Sequence, residues 1–261
     1  MALEPKSGNF DFISAANTGY RLAWKNRLPL LRLMVLPFFI KVGCIAAILF
    51  LGFENQILRH GLVMIPAYFA EGFLVAYVIR TLHAGGDLGD DVKQARRYFD
   101  DVIAAMIVFV LIQLTLAFII GYTITAMPEM SPEAEIESTS ALQGFLMAVS
   151  VLAFMLWAFR FAWLHLPIAM GIPLSSFLSR IQSFSSSIPM LGCWLAIFLP
   201  MAFLMVLISQ GISSFFPIIE GEANLLSTFV LGSFQGGAEI VINVIAGIAM
   251  SYGFKSLMEQ K

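Results

Sequence analysis

Charge is what this chain has least of. Asp, Glu, Lys and Arg make up 12% of its 261 residues, against about 25% in soluble domains, and hydrophobic residues make up 59%, against about 45–50%. With a mean hydropathy of +0.85, that balance excludes a soluble globule and a disordered chain. The two cysteines, Cys44 and Cys193, are too few for a disulfide scaffold. Both sit inside apolar runs with no C-x-x-C spacing, so each reads as a small packing hydrophobe. The three histidines, His60, His83 and His165, are scattered, which argues against a histidine-rich metal centre. No H-E-x-x-H, G-x-S-x-G or Walker loop occurs. The sequence therefore implies no catalytic residue, no metal and no cofactor. A net charge of −2 leaves no footprint for nucleic acid. The first 28 or so residues lack an apolar stretch of their own, so no cleaved signal peptide is expected and the first span is expected to serve as the targeting signal.

Long apolar runs, by contrast, are abundant. Segments 29–53, 61–83, 101–126, 141–166, 188–215 and 225–253 each reach the ~20 residues that a ~30 Å hydrocarbon core demands. None alternates as a barrel strand must, and lipid offers the backbone no water, so helices remain. The expected fold is an all-α integral membrane domain over residues 1–261 with six transmembrane helices and no soluble domain. The longest external loop, Met127–Ser140, is too short and polar to build a core. Pro37, Pro66 and Pro200 are expected to kink spans rather than end them.

Basic residues set the orientation. Lys6, Arg21, Lys25, Arg27 and Arg32 precede or open the first span. Arg80, Lys93, Arg96 and Arg97 follow the second, Arg180 follows the fourth, and Lys255 and Lys261 close the chain. Opposite these twelve stands Arg59 alone, among Glu54, Glu129, Glu133, Glu135, Glu137, Glu220 and Glu222. The positive-inside rule then puts both termini in the cytoplasm.

The segments before the odd-numbered spans carry a repeat. Ala16, Tyr20, Trp24 and Leu28 recur at steps of four beside Arg21, Lys25 and Arg27, the pattern of an amphipathic interfacial helix. Val92, Ala95, Phe99, Val102 and Ile103 repeat it, as do Leu174, Phe177, Leu178, Ile181, Phe184 and Ile188. In each copy an aromatic (Trp24, Phe99, Phe184) precedes an aliphatic (Leu28, Ile103, Ile188) by four, with an arginine (Arg21, Arg96, Arg180) three or four positions earlier. This predicts three units, about 9–84, 88–168 and 171–254, each an interfacial helix feeding a transmembrane hairpin. Six spans with both ends inside, and interfacial helices of the form Ala23-Trp24-Lys25-Asn26-Arg27-Leu28-Pro29-Leu30-Leu31, resemble the YciC-like bacterial inner-membrane families. The pattern is also similar to the membrane region fused to some glycerophosphodiester phosphodiesterases, without their soluble barrel. The resemblance implies a bacterial inner (plasma) membrane and brings no catalytic residues.

Ionisable groups inside spans are costly and need a partner or a task. Lys41 lies about fifteen residues before the first external turn and Glu71 about fifteen after it, so a hairpin brings them to equal depth. Glu239 lies as far from its own external loop, and Gln113 is mid-span. Gly232, Gly236, Glu239, Asn243, Gly247 and Ser251 fall on one face of the sixth span, a small, polar stripe suited to close helix approach. A lysine beside two carboxylates either shares its charge with both or leaves one protonated. Lys41, Glu71, Glu239, Gln113 and Asn243 form the expected intramembrane cluster. It is either a translocation site or an ionic layer that fixes helix register.

Arg160, at the inner end of the fourth span among Trp157, Phe161 and Trp163, is expected to snorkel to headgroups. With Arg21, Lys25, Arg27, Arg96, Arg97 and Arg180 it forms a basic collar for anionic lipid. Asp87, Asp90 and Asp91 suit helix capping better than Mg²⁺ binding, since no second acidic motif faces them. Two functions follow. The first is a non-enzymatic membrane protein that organises lipid, or a partner membrane protein, through the collar. The second is a small-solute or ion-coupled transporter using the charge cluster.

Overall fold

The computed structural model describes residues 10–86, 88, 98–126, 146, 149–150, 152–182, 186–215 and 225–258. Among them every regular element is a helix. A short helix, α1 (Phe12–Lys25), precedes the first span, α2 (Arg27–Leu51). The second span is α4 (Ile65–His83), preceded by the short α3 (Ile57–Val63), and the third is α5 (Phe99–Ala126). The fourth, α6 (Leu152–Met170), contains a 3-10 stretch at Phe159–Trp163. After it come a short α7 (Leu174–Arg180), the fifth span α8 (Ser187–Phe215) and the sixth, α9 (Leu225–Met258). Six helices are thus long and apolar enough to cross a membrane, and the chain is a multi-pass membrane protein.

Polarity sorts the spans. The three most apolar, α2, α5 and α8, are the most exposed, while α4, α6 and α9 are less apolar and more buried. That order is inverted relative to a water-soluble protein because lipid, not water, is the outer solvent. At the centre, α9 packs against α1, α2, α4, α6, α7 and α8.

Local chemistry sets the breaks. The Asp11 carboxylate accepts from the amides of Ile13 and Ser14 at 3.1 and 3.2 Å and caps α1, a contact worth about 1 kcal/mol. Asn26 stops α1 by turning its side-chain amide back to the Leu22 carbonyl at 2.9 Å. Gly52, at φ 65°, closes α2 in the left-handed conformation that glycine adopts without strain. Pro37 and Pro200 lie within continuous helices, as expected. Pro66 does not: it stands in the first turn of α4, where its missing N–H costs nothing.

The helix α1 is seated on the bundle through small residues. Ala15, Ala16 and Gly19 are buried, and a Cβ on Gly19 would lie 2.7 Å from the Ala249 Cβ of α9. Tyr20 reaches α8 instead, its hydroxyl donating to the Ile197 carbonyl at 3.1 Å and lying 3.5 Å from that of Ala196. Pro200 bears on the longer of these contacts: it has no N–H to give the carbonyl four residues back, which is Ala196, and the Tyr20 hydroxyl lies beside that oxygen. Burial raises the Tyr20 pKa and keeps the hydroxyl protonated for that task.

Trp24 is 72% exposed, and Leu28, Phe99 and Ile188 are also exposed. These four aligned positions therefore point outward at the bundle's edge, Ile103 is half-buried, and the inward face of α1 is the small-residue one. In α7 it is Phe177 that turns inward, packing edge-on against Phe254 of α9 at 4.8 Å. Of the helix expected before the third span, Phe99, Val102 and Ile103 open α5 itself, while Val92, Ala95, Arg96 and Arg97 lie outside the described residues, as do Phe184, the Met127–Ser140 loop and Asp87, Asp90 and Asp91.

Candidate functional site

The polar stripe of α9 meets two neighbours in turn. Gly232 and Gly236 lie against Ile45 of α2, and Gly236 also against the Lys41 stem. Glu239 and Asn243 then cross to Lys41 and Glu71, Gly247 meets Val75 and Ile79 of α4, and Ser251 lies 2.9 Å from His83. Absent side chains at the glycines let α2 and α9 approach closely enough for a lysine to reach across.

Lys41 is the hub. Its Nζ donates to Glu71 Oε2 at 2.9 Å and stands 2.6 Å from Glu239 Oε2. Asn243 Nδ2 donates to the other Glu71 oxygen at 2.5 Å. Lys41 and Glu71 are 2% and 1% exposed. Each buried charge has a partner and each Glu71 oxygen a donor, which is the condition for keeping them out of water. Tyr68, on α4, is close enough to feel all three charges. Gln113 stands apart: it is half-buried on α5 and takes no part in these bonds.

Lys41 and Glu71 are closed in, whereas Glu239 is half open. The Glu239 side chain is 49% exposed and lines a lateral groove of about 710 Å³ between α8 and α9. From α8 the groove takes Trp194, Phe198 and Gln210, and from α9 Gln235 and Asn243. Trp194 and Phe198 stack at 4.5 Å between centroids. On the opposite flank of α9 a smaller recess of about 230 Å³, against α2, is lined by apolar side chains and Gly237. Among the described residues, the α8 side is where a groove reaches the Glu239 carboxylate. Sequence reasoning missed this groove, although Gln210 and Gln235, polar residues within apolar spans, were the signal available.

The basic residues divide. Arg21, Lys25, Arg27 and Arg180 are exposed, and the Arg27 guanidinium lies over the Trp24 ring at 5.1 Å. Arg160 does not snorkel. It is 4% exposed and donates to the carbonyls of Ile181 and Gln182, between the rings of Trp157 and Phe161. The carbonyls at the end of α7 claim the charge, so Arg160 secures the α7–α8 junction. Arg80 is likewise engaged, with Asp101 at 3.0 Å and the Met170 carbonyl at 2.8 Å. Among the described residues no group of His, Cys, Asp and Glu side chains could hold a metal ion.

These features define an all-helical, multi-pass membrane protein with a buried ionic layer that opens on a lateral groove. Compared with known proteins, the chain matches no family model, no curated protein and no solved structure.

Proposed function

We propose that this protein is an ion- or proton-coupled transporter of a small solute, with Lys41, Glu71 and Glu239 as its coupling layer. One observation carries the reading: Glu239 touches buried Lys41 and also faces the groove. A carboxylate that served only to fix helix register gains nothing from such exposure, and Glu71, bonded at both oxygens, already fills that role. A proton or cation arriving through the groove changes the charge balance around Lys41 and so favours a different packing of α2 against α9. Vesicles containing the purified chain should show solute-driven or proton flux that Glu71→Gln and Glu239→Gln each abolish. Flux that survives neutralisation of all three charges would discard the proposal.

A second reading is favoured by the exposed Trp24 and Arg27 pair: a non-enzymatic organiser of anionic lipid, or of a partner membrane protein, through the basic collar. An aromatic and a cation at the end of a span suit headgroup depth. Changing Arg21, Lys25 and Arg27 together to Gln should reduce co-purifying anionic lipid several-fold, and an unchanged lipid content counts against this role.

Both readings place the chain in a bacterial inner membrane with its termini cytoplasmic, in keeping with the charge asymmetry and the YciC-like pattern of Ala23–Leu31. Cys44 and Cys193 are buried and give little background for thiol labelling. An impermeant maleimide applied outside should label a cysteine placed at Glu54 and spare one placed at Lys25; the reverse pattern inverts the topology.

A further inference from the structure

We propose that the groove between α8 and α9 binds a hydrophobic organic cation, an aromatic or aliphatic body bearing one positive charge that settles beside Glu239. This deepens the transporter reading and rests on it for the idea that the occupant moves.

Charge decides first. The layer holds one ammonium against two carboxylates, so with all three ionised it carries a surplus negative charge. The ammonium is walled off, Lys41 being 2% exposed, whereas the Glu239 side chain is 49% exposed. An occupant of the groove therefore meets the carboxylate and not the lysine. An anion would meet repulsion in a medium that screens weakly. A neutral apolar body would bury the Glu239 carboxylate and return nothing.

The lining decides the rest. A small inorganic cation needs several oxygen ligands, but most of the described groove wall is apolar, and Glu239 is the one acidic residue among the described lining. Trp194 and Phe198 instead present stacked rings, the surface on which an organic cation gains by its charge and by its carbon framework. At about 710 Å³ the space is that of a drug-sized molecule. Gln210 and Gln235 border it and tolerate a hydrogen-bonding substituent. The apolar recess on the α2 flank of α9 has the same kind of wall but no carboxylate, and it serves as the molecule's internal comparison.

Tetraphenylphosphonium and tetraphenylborate have nearly the same size and shape and opposite charge. Each is titrated separately into the purified full chain in a neutral detergent, with protein-free micelles subtracted. The cation should bind at least about tenfold more tightly than the anion. Glu239→Gln should remove that preference, and Ala202→Trp, which fills the groove from α8 without touching the charges, should remove cation binding. Equal binding of the two ions in the wild type overturns the proposal, as does cation binding undiminished in Ala202→Trp. Should Glu239→Gln fail to fold, the wild-type ratio and Ala202→Trp still decide. Coupled flux in vesicles without cation preference retires the ligand class alone, whereas cation binding with no flux retires the transporter and leaves the site.

Discussion

Lys41→Met should lower the stability of the bundle by about 3–5 kcal/mol, read as a large fall in melting temperature in detergent. The side chain it replaces is long and buried at 2% exposure, and Met fills most of the same volume, so the loss is electrostatic rather than steric. The magnitude comes from what remains. Glu71, 1% exposed, keeps its bond from Asn243 but faces Glu239 across a site with no cation. Single hydrogen bonds between membrane helices are worth only about 0.6 kcal/mol on average, too little to account for such a drop, so the stranded carboxylate dominates. A second change tests that assignment. Lys41→Met with Glu71→Met should be more stable than Lys41→Met alone, because a buried apolar pair costs less than half an ion pair. Additive losses in the double variant would show that the ion pair contributes nothing as a pair.

The second large effect is expected at Gly19. A Cβ there would stand 2.7 Å from Ala249 Cβ, 3.0 Å from the Ile245 carbonyl oxygen and 3.2 Å from Ala249 Cα. Two of those atoms are backbone of the central helix and cannot yield. Gly19→Leu should therefore lift α1 off α9, with a cost of about 1–3 kcal/mol or more. Trypsin should then cut faster at the exposed Lys25 and Arg27, as well as at Arg21. Gly19→Ala should do less, and Ala249→Gly should restore part of what Gly19→Ala loses, because it removes the nearest atom. If Gly19→Leu keeps the wild-type melting temperature and cleavage rate, α1 is not held by this contact.

Much of the fold was legible because lipid imposes a simple rule. A helix that must satisfy its own backbone in hydrocarbon shows as an unbroken apolar run, and six such runs became six long helices. Hairpin geometry also put Lys41 and Glu71 at one level, and they lie 2.9 Å apart. The sixth-span stripe identified the face of α9 that turns toward α2 and α4. Other features depend on which faces meet, which no local pattern encodes. Gln113 has a depth like that of the cluster, but α5 packs chiefly against α3, α4 and α6. Arg160 looks like any arginine near a span end until the carbonyls of Ile181 and Gln182 are brought beside it. Trp24 fits an apolar stripe on a helical wheel, yet on a surface helix bounded by lipid the outward side is apolar too, so the wheel could not say which side packs. The groove is a property of α8 and α9 together, and Gln210 and Gln235 signal it only once their helices are adjacent.

Tyr20 gives the surface helix a mechanical hold on the interior. The groove residues of α8 lie on both sides of Pro200, with Trp194 and Phe198 before it and Ala202 and Gln210 after it. Just before that proline the Ile197 carbonyl takes a donor from α1, and the Ala196 carbonyl lies beside it. Were α1 to roll, the donor would be withdrawn and Pro200 would be left as the pivot between the two halves of α8, the crevice against α9 widening or narrowing with them. The lever for that pivot lies outside the spans, on the segment that also carries Arg21, Trp24 and Lys25.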